Sequence, residues 1–345
     1  MAPSNQAAFL VAAKAPLEVK EAPYTPPGPS ELVVKNHAVA VNVVDPYKQL
    51  LGDALLGYIK WPCVQGEDLA GEVVEVGSAV TRFKVGDRVI AYAAGTLPFG
   101  NRPAEGGFQN YTVVREHITI PIPASVTYER GSVLPLCLTT AAYGLFHKDF
   151  LGLDLPTAPA ASPKGEAVII TSGASSVGAS AVQLAAAAGY EVHTTASPKN
   201  LDLLKRLGAT GVYDYHEDGA ADSMLAALKG KKVAGALTIN PGGVALSAKV
   251  LNGTDSVKNI ADAGPPPPEG YPEGITSKFI DLGDLPDPEA VVGKIFRDFL
   301  PQALASGQFV PEPEPWVVGS GLEKIQEAYD LRLKGVSAQK IVVTL

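Results

Sequence analysis

The stretch Gly165–Lys199, GEAVIITSGASSVGASAVQLAAAAGYEVHTTASPK, constrains the fold of this chain more than any other. Val168, Ile169 and Ile170 form a short apolar β-branched run, the pattern of a strand buried on both faces of a parallel sheet. The run stops at Thr171-Ser172-Gly173. From Ser176 the period changes: Val177, Ala181, Leu184, Ala185 and Ala188 recur at three- and four-residue steps and share one helical face. Gly189 supplies the residue free to take positive φ at the helix end, and Tyr190 to Thr195 reads as a second strand. The whole is a βαβ unit of about the usual thirty residues.

The turn Ser172, Gly173, Ala174, Ser175, Ser176, Val177, Gly178 approximates a GxGxxG fingerprint, with Ser175 where the middle glycine would stand. Small residues still line it, so backbone amides at the helix start can approach a pyrophosphate at the positive end of the helix dipole. Gly178 lets the helix pack closely on its strand. A bare structural βαβ turn is the alternative. About twenty residues past such a fingerprint, NAD sites carry an acid for the ribose 2′-hydroxyl. Here the second strand runs into Thr194-Thr195-Ala196-Ser197-Pro198-Lys199-Asn200, without a carboxylate. Ser197, Lys199 and Asn200 suit a 2′-phosphate, which favours NADPH. Ser197 as an N-cap before Pro198 and Lys199 as a solvated first-turn residue are compatible with that reading. Val212 to Tyr215 reads as the third strand, with Tyr215 at its carboxyl end beside the adenosine phosphate.

With 345 residues the chain has room for two cores. The net charge of −8 argues against broad nucleic-acid or anionic-membrane binding. No apolar run reaches membrane-span length and no secretory leader is evident, so a cytoplasmic protein is expected. Cys63 and Cys137 are the two cysteines, too few for a disulfide framework or a four-thiolate zinc site.

The first 130 residues are β-rich. Ala7–Val11 and Leu17–Glu21 resemble a hairpin, Glu31–Asn42 a long strand, and Gly66–Gly77 a strand between glycines. Val85-Gly86-Asp87-Arg88 turns into a further strand, and the roughly ten-residue spacing suggests a small barrel. The segment Asn42–Lys48, then GEDLAGEVVEVGSAVTRFKVGDRV, GGFQNY, LCLTTAAYGLF, the dinucleotide unit and the closing GLEKIQEAYDLRLKGVSAQKIVVTL follow one another in this order. Together they resemble the medium-chain dehydrogenase/reductase superfamily over essentially the whole chain.

That resemblance implies an α/β protein: a GroES-like β-rich catalytic domain (1–134, rejoined by 311–345) and a doubly wound Rossmann coenzyme domain (135–310), with the active site in the cleft between them. Where zinc-dependent members carry a first Cys and a His, this sequence has Val44 and Glu67. Asp45, Glu67 and Asp68 would make an atypical oxygen-rich site, Cys137 alone cannot hold the ion, and Tyr92–Gln109 has no Cys. No metal is expected, and zinc alcohol oxidation is the disfavoured alternative. The zinc-free branches resemble quinone oxidoreductases and enoyl reductases, which pass hydride to a quinone or an activated C=C. Such substrates need alignment and stabilisation of a developing oxyanion. The catalytic candidates are Asn42, Tyr47 and Lys48, with Tyr47 or Lys48 as donor; Asn42 as a strand-end turn residue and Lys48 as an exposed helix charge are the plainer readings. Thr139 begins a small-residue helix similar to the family's nicotinamide-packing segment, and Asn240 follows the strand Val233–Ile239 at a carboxyl end where ligands bind.

Similarity to fungal zinc-free reductases, including trans-acting enoyl reductases of polyketide synthases, adds a carrier domain as a possible partner. The expected reaction is NADPH-dependent reduction of an enone, enoyl thioester or quinone, by a monomer or homodimer. A coenzyme-binding protein with little catalysis is the competing class.

Overall fold

The computed structural model describes residues 3–345 and contains two compact units, one of residues up to Leu136 with Pro311–Leu345 and the other of Cys137–Val310. The first is organised on the ten-residue strand Glu31–Ala40, which pairs antiparallel with Asp68–Val76, Tyr111–Arg115 and Gln339–Thr344. One strand serves three partners because Tyr111–Arg115 pairs with its first half, at Glu31 to Lys35, and Gln339–Thr344 with its last residues, Ala38 to Ala40, while its ladder to Asp68–Val76 slips between Asn36 and Ala38. There the buried Asn36 amide nitrogen lies 2.7 to 2.9 Å from the Gly107 and Gln109 carbonyl oxygens and Thr112 Oγ1. Gly71 lets Asp68–Val76 come in close, since a Cβ there would sit 2.1 Å from the Lys35 carbonyl oxygen.

The seven-stranded sheet runs Glu314–Ser320, Gln339–Thr344, Glu31–Ala40, Asp68–Val76, Arg88–Tyr92 and Thr119–Pro121, with Tyr111–Arg115 on Glu31–Ala40. Its core gathers Leu32, Val34, Val39, Leu69, Val89, Ile325, Tyr329, Ile341 and Val343. Each large apolar side chain so buried contributes about 1.5–3 kcal/mol. The expected hairpin forms from Asn5–Leu10 and Leu17–Ala22, with Cys63–Val64 as third strand. The strands fall into two sheets, joined by backbone hydrogen bonds from Ala8 N–H to the Phe108 carbonyl at 2.9 Å and from Asn110 N–H to the Gln6 carbonyl at 3.0 Å.

The second unit holds six parallel strands in the order Ala209–Tyr213, Glu191–Thr195, Glu166–Ile170, Lys232–Thr238, Asn259–Asp262 and Thr276–Phe279. Numbered along the chain this is 3-2-1-4-5-6, the doubly wound order. Helix Ser176–Ala187 follows the first strand and Gly189, at φ +86°, ends it as the sequence suggested. Ala167, Ile169, Met224, Leu228, Val233, Val244, Leu251 and Ile260 form a buried cluster in this unit. The third strand ends at Tyr213, two residues before its expected end. The Asp214 carboxylate accepts from the His216 backbone N–H at 3.0 Å and turns the chain out of the sheet. No helix among the described residues is long and apolar enough to cross a membrane.

Candidate functional site

In the second unit the strand order reverses between Glu166–Ile170 and Lys232–Thr238, which lie side by side. Each runs directly into a helix, Ser176–Ala187 from the first and Pro241–Asn252 from the second, so two helix N-termini stand at the carboxyl edge of neighbouring strands. Open parallel sheets bind ligands at such a switch point. The two ends are tied together: Asn240 Nδ2 donates to Ser172 Oγ, while Asn240 Oδ1 accepts from the Gly243 N–H at 2.9 Å. Asn240 is therefore the N-cap of the second helix, and one side chain organises both turns.

The fingerprint turn is tightly built. Ser172 has φ +54°, a left-handed conformation uncommon outside glycine, and its N–H donates to Thr195 Oγ1 at 3.0 Å. A Cβ on Gly173 would lie 2.3 Å from Thr194 Oγ1, and one on Gly178 would lie 2.3 Å from the Ser172 carbonyl oxygen. Ser175, expected in place of the middle glycine, is the N-cap of Ser176–Ala187 and accepts from the Gly178 N–H at 3.1 Å. Ser176 and Val177 sit half-buried in the first turn. Small residues, a capped helix start and the buried Thr194 hydroxyl, which has no hydrogen-bond partner among the described residues, fit a bound dinucleotide phosphate.

At the end of the neighbouring strand, Ser197 Oγ lies 3.1 Å from Tyr215 Oη. Lys199 is exposed and makes no ion pair among the described residues. Ser197, Lys199 and Tyr215 thus share one polar, half-open edge, although Tyr215 reaches it from beyond the strand. Asn200 is buried beneath them, at the start of helix Leu201–Arg206. Thr139 is fully buried on helix Pro135–Phe146, with its hydroxyl unpartnered among the described residues. His193 is buried, with its Nδ1 2.9 Å from Tyr213 Oη.

In the first unit, Asn42, Tyr47 and Lys48 do not converge. Tyr47 and Lys48 are adjacent on helix Val44–Leu51, so they point about 100° apart. Tyr47 is 44% exposed; Lys48 is fully buried. Its ammonium donates to the carbonyl oxygens of Gly52 and Leu56 at 3.0 and 3.1 Å and lies 4.5 Å from the Trp61 ring centroid. This corrects the expectation of an exposed helix charge: the carbonyls that close the helix end capture the cation. Lys48→Ala is expected to cost about 1–3 kcal/mol by stripping that donor from buried carbonyls, read as a lower urea midpoint at unchanged m-value.

Beneath this helix lies a charge cluster that sequence reasoning had considered only as metal ligands. Asn42 is buried; its Oδ1 accepts from Lys340 Nζ at 2.5 Å and its N–H donates to Asp45 Oδ2 at 2.7 Å. Lys340 also pairs with Asp68 Oδ2 at 2.9 Å, and Asp68 Oδ1 accepts from the Leu136 N–H at 2.6 Å. Glu67 accepts from Thr96 Oγ1 at 2.6 Å. Burial pushes the carboxyls of Asp45 and Glu67 up; Glu67 and Asp68 raise Asp45 further, while Glu67 is raised by Asp68 and drawn down by its hydrogen bonds with Thr96 and Asp45. No group of three His, Cys, Asp or Glu among the described residues has the arrangement of a metal site. A lysine occupies Asp68, so these carboxylates do not fit zinc.

The signal for Lys340 was readable in part. A lysine within the apolar strand Gln339–Thr344 has to find a buried partner, though the sequence does not say which.

A family model for the alcohol dehydrogenase GroES-like domain matches residues 28–124. "Dehydrogenase pigH" of Monascus ruber is 46% identical to the chain, covering 99% of it and 100% of that protein. "Trans-enoyl reductase himH" of Aspergillus japonicus is 38% identical, covering 91% of the chain and 90% of that protein. A solved structure of the CurK enoyl reductase shares the fold, with a TM-score of 0.76 over 99% of each chain at 21% identity.

Proposed function

The chain belongs to the medium-chain dehydrogenase/reductase superfamily, an oxidoreductase family that uses nicotinamide cofactors, and from that premise we propose that it is an NADPH-dependent, zinc-independent reductase of activated C=C bonds, either enones or enoyl thioesters. The observation that carries the reading is the switch-point turn of Ser172, Gly173, Ser175–Gly178 and Asn240, joined along the sheet edge by Ser197, Lys199 and Tyr215. NADPH, when bound, supplies the hydride. Gly173 and Gly178 leave room for its pyrophosphate, the N-terminal amides of Ser176–Ala187 neutralise it, and Lys199 with Ser197 and Tyr215 holds the 2′-phosphate. Asn200 supports that edge, and Thr139 offers a hydroxyl to the nicotinamide end.

An alkene conjugated to a carbonyl becomes an enolate as hydride arrives at its β-carbon, so the protein has only to hold the oxygen and return a proton. Tyr47, with its exposed hydroxyl, is the donor toward that oxygen. Asn42 and Lys48 act from beneath, as anchors of the helix that carries it. Zinc independence is supported by Lys340 on Asp68 and by Val44 at the position of a thiolate ligand.

Lys199→Ala tests the cofactor assignment. Loss of one charge-assisted contact, about 1.5–3 kcal/mol, should weaken NADPH binding roughly tenfold or more and leave NADH nearly unchanged. Equal weakening of both would contradict a 2′-phosphate site.

The second reading, action on a carrier-bound substrate of a polyketide synthase, is favoured by the likeness to himH, named as a trans-enoyl reductase. Turnover of carrier-bound but not free enoyl thioesters would select it. Quinone reduction and little catalysis at all are separated by the same panel of acceptors.

A further inference from the structure

Three carboxyls, Asp45, Glu67 and Asp68, are buried around one lysine, and they cannot all be ionised at low cost. Lys340 is the nearby ammonium, and its charge is met by Asp68 and by the Asn42 carbonyl oxygen. Asp45 and Glu67 are 0% and 1% exposed, and Lys340, engaged by Asp68 and Asn42, favours the ionised form of Glu67 less strongly than burial disfavours it. Each has one oxygen satisfied, Asp45 Oδ2 by the Asn42 N–H and Glu67 Oε1 by the Thr96 hydroxyl. Each has its other oxygen, Asp45 Oδ1 and Glu67 Oε2, buried without a donor among the described residues. Two orphan acceptors on interacting carboxyls call for a proton between them, because a buried oxygen without a donor is costly and a buried unpaired charge costs more.

We propose that Asp45 and Glu67 share a single proton at neutral pH and that this acid pair sets the turn from Asn42 into helix Val44–Leu51.

Among the described residues facing the pair, Lys340 is the one cation, and it is already engaged by Asp68. The groups facing the pair are Asp68, Lys340, Tyr58, Tyr92, Tyr329 and Cys63. Burial pushes the Tyr92 and Tyr329 hydroxyls well above their usual range and the Cys63 thiol up to about 11, so all three stay neutral. Asp45 carries its proton in the folded state and not in the unfolded chain, so folding takes up a proton. Stability contributed by the pair is complete below the ordinary carboxyl range and is lost as pH rises through the elevated folded value. Once the proton leaves, two like charges face each other beside Asp68, and the Asn42–Asp45 turn is the element that gives way. The consequence for activity, an alkaline fall as Tyr47 loses its support, rests on the role proposed for Tyr47; the proton itself does not.

The test needs no substrate. Infrared spectra of the purified protein at neutral pH are compared for wild type, Asp45→Asn and Glu67→Gln, and thermal melts are recorded from about pH 5 to about pH 9. An asparagine at 45 keeps an acceptor for Asn42 and offers a permanent N–H to Glu67, so it mimics the protonated acid. The expected result is a protonated-carboxyl carbonyl band in wild type that is lost in Asp45→Asn and altered in Glu67→Gln. The melting temperature should also fall with rising pH in wild type and stay flatter in Asp45→Asn. Absence of the band in wild type, a band that neither replacement changes, or identical pH slopes would overturn the proposal. Should Asp45→Asn fail to fold, the wild-type spectrum and Glu67→Gln decide it.

Discussion

Lys340→Met is expected to destabilise the protein by about 3–5 kcal/mol, a large part of the roughly 5–15 kcal/mol that holds a typical domain folded. The lysine is 5% exposed, and removing its charge leaves Asp68, fully buried, without a counter-ion 2.9 Å away. Asn42 Oδ1 loses its donor in the same step. The size of the effect comes from the uncompensated charge and not from lost volume, since methionine nearly fills the space. The double variant Asp68→Asn/Lys340→Met separates the two causes. It removes both charges and keeps an oxygen at 68 for the Leu136 N–H, so it should recover most of the loss in urea denaturation. A double variant no more stable than Lys340→Met would show that the ion pair is not the source.

Gly178→Val is expected to weaken NADPH binding at least about a hundredfold, or about 2.7 kcal/mol. A Cβ at this position meets the Ser172 carbonyl oxygen at 2.3 Å and the Gly173 Cα at 2.7 Å. Both are backbone atoms of the turn itself, so no side chain can rotate away and the helix start must shift. The amides that face a pyrophosphate move with it, and one or two charge-assisted hydrogen bonds are lost. Gly219→Ala is the control, because a Cβ there meets nothing within 4 Å. Isothermal titration on both variants reads the difference; similar losses would mean that the turn does not hold the cofactor.

What the sequence made legible is what local rules govern. The β-branched run before Thr171, the helical period after Ser176 and Gly189 at the end all concern residues within one turn of each other, and they reappear as strand, helix and left-handed cap. The parallel doubly wound sheet follows from repetition of that unit. Ser175 was read only as the stand-in for the middle glycine, and its role as N-cap comes from the structure.

The parts that escaped depend on contacts between distant residues. Asn240 reaches Ser172 across 68 positions, and Lys340 reaches Asn42 across 298, so no window of sequence contains either pair. Lys48 misled for a different reason. A lysine on a short helix is usually solvated, and here the carbonyls of Gly52 and Leu56, the Asp53 carboxylate at 3.5 Å and the Trp61 ring together receive the buried cation. Tyr215 missed its strand because Asp214 caps the turn first.

The most direct test is NADPH consumption by purified protein, freed of metal by chelation, with an α,β-unsaturated acyl thioester offered both free and on a carrier domain. The account predicts oxidation of NADPH matched one to one by saturation of the C=C bond, with NADH far less effective and added zinc without influence. Activity that appears only on adding zinc, or alcohol oxidation in place of alkene reduction, would contradict it.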